Sequence, residues 1–196
     1  AAPSAPRSAV AAGQRKPFRF TARRATRKDL THSWRPGCPV PPRRLRVVRL
    51  RHVGFDGHAR MGTLVVHRDV VPDVRTVFRR LYKERFPIRR MRPIDVYGGS
   101  DDRSLAANNT SAFNCRKAVA AGPASWSNHA YGRAIDVDPV QNPYVWSGGV
   151  SPRKGRAHLD RSRRRPGMIG PRSVVVRAFR DRGRRWGGAW RSPDYQ

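Results

Sequence analysis

Asp56-Gly57 lies between two apolar-rich runs, and this arrangement restricts the fold more than any other feature of the chain. Leu45, Val47 and Arg49 alternate with Arg46, Val48 and Leu50 before it, and Met61 to His67 follow it. Two strand-like runs around a dipeptide that tolerates left-handed backbone predict a β-hairpin. The apolar period then changes. Val70, Val74, Val77, Phe78 and Leu81 recur at helical spacing, with Asp69 expected as the cap, Pro72 in the first turn and Phe86-Pro87 as the stop. A hairpin followed by an amphipathic helix, without regular alternation afterwards, predicts an α+β domain with an antiparallel sheet and flanking helices.

The remaining elements are shorter. Ile94 to Tyr97 and Ala134 to Asp138 read as strands, the second with Ile135 and Val137 on one face and Asp136 and Asp138 on the other. Gly98 to Pro123 and Asn142 to Arg172 read as loops. Ser173 is placed to cap a second helix that turns Val174, Val175, Ala178 and Phe179 inward. Residues 1–33, rich in Ala, Pro, Ser and Arg, read as a disordered basic tail. The folded domain is expected over 34–196, entered through the proline-rich stretch Trp34 to Pro42.

The chain of 196 residues carries 42 basic and 13 acidic side chains, a formal charge of +29. The basic set is 37 Arg and 5 Lys; the acidic set is 12 Asp and Glu84. Such a balance predicts attraction to polyanions, among them anionic cell-wall polymers, nucleic acid and anionic lipid. No zinc-finger, helix-turn-helix or ribonucleoprotein motif accompanies the charge, so no specific nucleic-acid partner is expected. No apolar run reaches the length of a transmembrane segment. Cys38 and Cys115 are too far apart for a metal knuckle, which leaves two free thiols or one disulfide. The opening Ala-Ala-Pro-Ser-Ala-Pro reads like sequence downstream of a removed signal peptide; export to an oxidising compartment would favour the disulfide.

Chemistry concentrates in Ser127-Asn128-His129-Ala130-Tyr131-Gly132-Arg133-Ala134-Ile135-Asp136. An imidazole on a loop and a carboxylate on the next extended segment are a nitrogen and an oxygen donor, the kind of mixed set zinc accepts, and Gly132 allows the tight turn between them. A capped turn with both side chains solvated is the bland alternative.

Ser-x-His-x-x-Gly-x-Ala-x-Asp resembles the zinc-ligand motif of the D-alanyl-D-alanine carboxypeptidase family, which includes vancomycin-resistance D,D-peptidases and L-alanyl-D-glutamate endolysins. Trp186-Gly187-Gly188-Ala189-Trp190 with Asp194-Tyr195-Gln196 resembles the family's closing block, and Asn108 to Arg116 resembles the segment before the metal motif in one branch. The resemblance implies a hedgehog/DD-peptidase-like zinc peptidase fold over 34–196. It implies His129 and Asp136 as zinc ligands and Asp194 as general base. Arg116, or else Arg103, would stabilise the oxyanion or the substrate carboxylate. Ser127 would support the site, and Trp186 and Trp190 would wall the substrate groove. The family's third ligand, a His three residues after the base, would fall just past Gln196, so the domain reads as cut before that ligand; His158 is the alternative within the chain. Glu84, the only Glu, stands far from the motif, which leaves Asp194 ahead of Asp138 as base.

The expected protein is therefore a secreted, wall-associated zinc metallopeptidase acting on D-amino-acid-containing stem peptides of peptidoglycan. The rival readings are a non-catalytic cell-wall-binding domain of the same fold and a basic nucleic-acid-binding protein.

Overall fold

A computed structural model describes residues 16–118 and 125–196; residues 1–15 of the expected tail and the loop positions 119–124 lie outside the described residues. Three antiparallel strands form the main sheet in the order β1 (Phe20–Arg24), β2 (Leu45–Val53) and β3 (Ala59–His67). The hairpin turns at Asp56-Gly57, where Gly57 takes φ 78°, and its register pairs Val53 with Ala59 and Leu45 with His67.

Both faces of β2 are covered. Val48 and Leu50 face α1 (Val71–Lys83), whose Val74, Val77, Phe78 and Leu81 are buried against them together with Val175 and Ala178 of α3 (Val174–Arg180). Leu45 and Val47 face a second cluster built from Ala25, Leu30, Val40, Phe113 and Cys115. Burial on two sides explains why β2 is apolar at successive positions such as Val47-Val48.

Several expectations change. Phe20–Arg24, assigned to the tail, is a strand paired with β2, and Ala25 and Leu30 just after it are buried. Ile94–Tyr97 is a 3-10 turn closed by Gly98 at φ 63°, not a strand. Ala134 to Asp138 is not a strand: its pairing is limited to one bridge, Ser111 to Asp136, and Asp138 turns to φ 46°. The stretch beginning at Gly98 contains α2 (Asp101–Ala106), capped by Ser100. The Pro- and Gly-rich stretch after Asn142 holds a small hairpin, β4 (Tyr144–Trp146) and β5 (Gly149–Ser151). Asp69 is not the cap of α1, which Val70 occupies; its carboxylate pairs with Arg133 and lies 3.2 Å from His67 Nδ1. Ser173 caps α3 as expected, its Oγ accepting from Val176 N.

The outer edge of β3 is not left open. Thr63 N donates to Met91 O, Phe113 N to Val65 O, and His67 N to Gly132 O. Loops cover the edge, and it becomes the support on which the chemically interesting segments are hung. Cys38 and Cys115 are joined in a disulfide across 77 residues, Cα–Cα 5.9 Å, beside Phe113 and the second cluster.

Replacing both cysteines with serine should lower unfolding stability by about 4 kcal/mol, the chain-entropy scale for a loop of this length. Denaturant unfolding measures it, and titration of the unreduced, unfolded wild-type protein should find no free thiol.

Candidate metal centre

His129 is positioned by a cap. Ser127 is the N-cap of a 3-10 turn over Asn128–Tyr131, and its Oγ accepts from His129 N at 3.2 Å. Gly132 ends the turn at φ 65°, where a Cβ would also sit 2.7 Å from His67 N; any other residue there would be both strained and crowded. Asp136 is fixed by backbone pairing with Ser111, N to O at 2.9 Å and the reverse at 3.1 Å.

These constraints bring His129 Nε2 to 3.1 Å from Asp136 Oδ1, with both residues buried. His129 Nδ1 lies 2.6 Å from the Ala112 carbonyl. A carbonyl only accepts, so Nδ1 carries the hydrogen, and Nε2 is directed at the carboxylate. Burial opposes charge on the imidazole, but the Asp136 carboxylate and its hydrogen bond prevail and raise the pKa to about 8. The donor set suits a divalent cation: one tautomer is locked by a carbonyl behind the ring, the other nitrogen faces a carboxylate oxygen, and a cation can replace the shared proton. Among the described residues, no third His, Cys, Asp or Glu joins them to complete a metal-binding group.

Asp194 stands beside this pair. Its backbone pairs with Tyr144, through Val145 N to Pro193 O and Tyr195 N to Pro143 O, and Asp194 N donates to Gly187 O. Gly187 must be glycine for this approach, since a Cβ would lie 2.7 Å from Asp194 O. Burial first, then the charge of Asp136, push the Asp194 carboxyl up to about 6, while His129 pulls it down. The three residues singled out in the sequence, His129, Asp136 and Asp194, are thus electrostatic neighbours.

The other predicted residues divide. Arg116 lies close enough for its charge to oppose protonation of His129, and its Nε is 2.9 Å from Asp101 Oδ2. Asp101, on α2, also accepts from Asn114 Nδ2. Arg103 is exposed on α2 with its guanidinium against Gly98, and no contact links it to the pair. Trp186 donates from Nε1 to Tyr195 O, bracing the segment that carries Asp194. Trp190 is 52% exposed. Both tryptophans line a groove of about 760 Å³ that does not include His129, Asp136 or Asp194. Asp138 is fully buried, accepts from Arg89 N, and burial raises its pKa well above the usual carboxylate range. His158 sits in a separate 3-10 turn, and its ring Nδ1 is buried without a partner.

Two contributors escaped sequence reasoning. The Ala112 carbonyl is backbone and leaves no trace in residue type. Asp101 had a visible signal, an acid at the start of a helix capped by Ser100, but not one that reveals its pairing with Arg116.

His129, with a folded-state pKa raised above its ordinary 6.5, stabilises the metal-free protein below that value, and the contribution is lost as pH rises through about 8. Ring titration of the metal-free protein by NMR should give a midpoint near 8, and Asp136→Asn should bring it down toward the ordinary histidine range.

The family model described as D-alanyl-D-alanine carboxypeptidase matches residues 121–196, the segment that holds His129, Asp136 and Asp194. No curated protein and no solved structure matches the chain. Over that segment the chain is similar to the D-alanyl-D-alanine carboxypeptidase family, the peptidase family that its Ser127-to-Asp136 motif resembles.

Proposed function

We propose that this chain is a secreted zinc metallopeptidase with a hedgehog/DD-peptidase-like fold. Its substrate would be the D-amino-acid-containing stem peptide of bacterial peptidoglycan, with removal of terminal D-Ala as the first choice of reaction. The observation that carries the reading is the buried His129–Asp136 pair, with the imidazole tautomer set by Ala112 O and Asp194 alongside. His129 and Asp136 would hold the metal. Zinc would supply Lewis acidity, polarising the scissile carbonyl and making water more acidic.

The chain's own residues would do the rest. Asp194, with its pKa pushed to about 6, would accept the proton of the attacking water and pass it to the leaving amine. Arg116 would face the developing oxyanion or a substrate carboxylate, its guanidinium kept in place by Asp101. Ser127 would hold the His129 turn in shape. The disulfide fits an oxidising compartment, and no helix among the described residues is long and apolar enough to cross a membrane.

A wall-binding domain that does not cut is the second reading, favoured by the excess of 42 basic over 13 acidic side chains, which would hold the chain to anionic wall polymer. A chain extending past Gln196 separates the two. The peptidase reading expects about one zinc per molecule, lost together with activity in His129→Ala. Asp194→Asn should keep zinc and fold but lose about 10²–10⁴-fold in the rate of D-Ala or stem-peptide release from purified peptidoglycan. An extended chain with no zinc and no turnover would favour the binding domain; near-normal turnover in Asp194→Asn would remove Asp194 from the base role.

A further inference from the structure

We propose that the groove beside the C-terminal segment is a docking site for an anionic phospholipid, taking the phosphate on arginines and the first methylenes of an acyl chain on its floor. The proposal stands apart from the peptidase reading, because the groove excludes His129, Asp136 and Asp194. The groove is open and measures about 760 Å³. Its floor is apolar, with Ile169 buried and Met168 and Val176 half-buried. Its rim carries Arg164, Arg180 and Arg185, all exposed, and among the described residues none of them has a carboxylate partner within ion-pair distance. No Asp or Glu lines the groove.

Arg184, which also lines the groove, is taken up by Asp73, as Arg60 is by Asp56 and Arg80 by Asp181 outside it. Arg164, Arg180 and Arg185 are left over the apolar floor with no acid of their own. Guanidinium groups match a phosphate in geometry as well as charge. A hydrophilic polyanion would satisfy the rim and leave the floor wet; an amphiphile satisfies both. Trp190 adds the second indication. It is half-exposed at the lip of the groove, and an indole presented to solvent beside arginines is the composition of a surface that enters a head-group layer. The floor is rigid enough to keep its shape. Arg161, beneath the groove, donates to Gln141 O and Ile169 O, both at 2.6 Å, and lies over the Tyr195 ring at 4.4 Å.

Flotation with mixed phosphatidylglycerol–phosphatidylcholine vesicles and with pure phosphatidylcholine vesicles tests this. At physiological salt the whole chain should bind the mixed vesicles and not the neutral ones. The triple variant Arg164→Gln, Arg180→Gln, Arg185→Gln should bind about 100-fold more weakly, the scale for three surface arginines at an anionic bilayer. The charge-matched triple Arg19→Gln, Arg24→Gln, Arg49→Gln, all exposed, should lose less than about threefold, because none of the three lines the groove that receives the phosphate. Trp190→Ala should weaken binding and shrink the shift of tryptophan emission to shorter wavelength. Unchanged unfolding midpoints would establish that the variants are folded; should the groove triple be unstable, Trp190→Ala decides alone. Equal losses in the two triples would reduce the effect to net charge and overturn the site. Groove-dependent binding of a soluble polyol-phosphate polymer, with groove-independent binding of vesicles, would make the polymer the occupant and overturn the lipid. No effect of Trp190→Ala on affinity or emission would do the same.

Discussion

Burying an imidazole against a carboxylate is the demand that the rest of this structure has to meet. Neither His129 nor Asp136 retains much contact with solvent, so each polar atom needs a fixed partner or the pair would cost more than it contributes. The segment from Ser111 to Cys115 provides those partners. Ser111 pairs with the Asp136 backbone, Ala112 O takes the His129 Nδ1 hydrogen, and Asn114 N donates to His129 O. The same five residues are anchored on three sides: Phe113 N donates to Val65 O of β3, Cys115 N to Ser33 O, and the Cys115 side chain is bonded to Cys38. One stretch thus ties the pair to the sheet edge and to the N-terminal segment. A shift in it would move the ring and the carboxylate together.

What could be read from the sequence follows from the range of the interaction that decides each element. The Leu45–His67 hairpin, the helix from Val71 and the capped helix at Ser173 rest on local signals, a turn dipeptide, a 3.6-residue apolar period and a cap hydroxyl, and all three are present. His129 and Asp136 were singled out because Ser127 to Asp136 resembles a family motif, and the turn that Ser127 caps and Gly132 closes lies within those ten residues. Elements that depend on distant partners were not legible. Phe20–Arg24 is a strand because β2 offers an edge to it, and its Arg-rich composition hides that. Ala134 to Asp138 alternates like a strand, yet its pairing is limited to a single bridge, and the Asp138 carboxylate accepts from Arg89 N. β4 and β5 are three residues each, and β4 is held in turn by Pro193–Tyr195, far along the chain. Proline and glycine density read as loop because local propensity carries no information about such pairing.

The scarcity of acid shapes the surface. Most aspartates are taken up by arginines nearby, and Asp73 serves two at once. With 42 basic against 13 acidic residues, the excess cannot be paired internally and must face solvent or carbonyl oxygens. Arg161 illustrates the second solution, donating to three carbonyl oxygens and to Asn142 Oδ1 instead of to any acid. Exposed ion pairs of this sort contribute little each to stability. Their larger effect is to decide which arginines remain available, and the groove rim is where several of those gather.

The groove and the metal centre meet at one short segment. Asp194 feels the charges of Asp136 and His129, and the next residue, Tyr195, sets its ring in the groove beside Arg161 and Trp186. The segment is bound on one side to β4 through Pro193 and Tyr195 and on the other to Gly187 through Asp194 N. Trp186 Nε1 holds Tyr195 O as well. Tyr195 and Asp194 are covalent neighbours, so the contacts that fix the Tyr195 ring against Arg161 and Trp186 also brace the backbone that carries the Asp194 carboxyl.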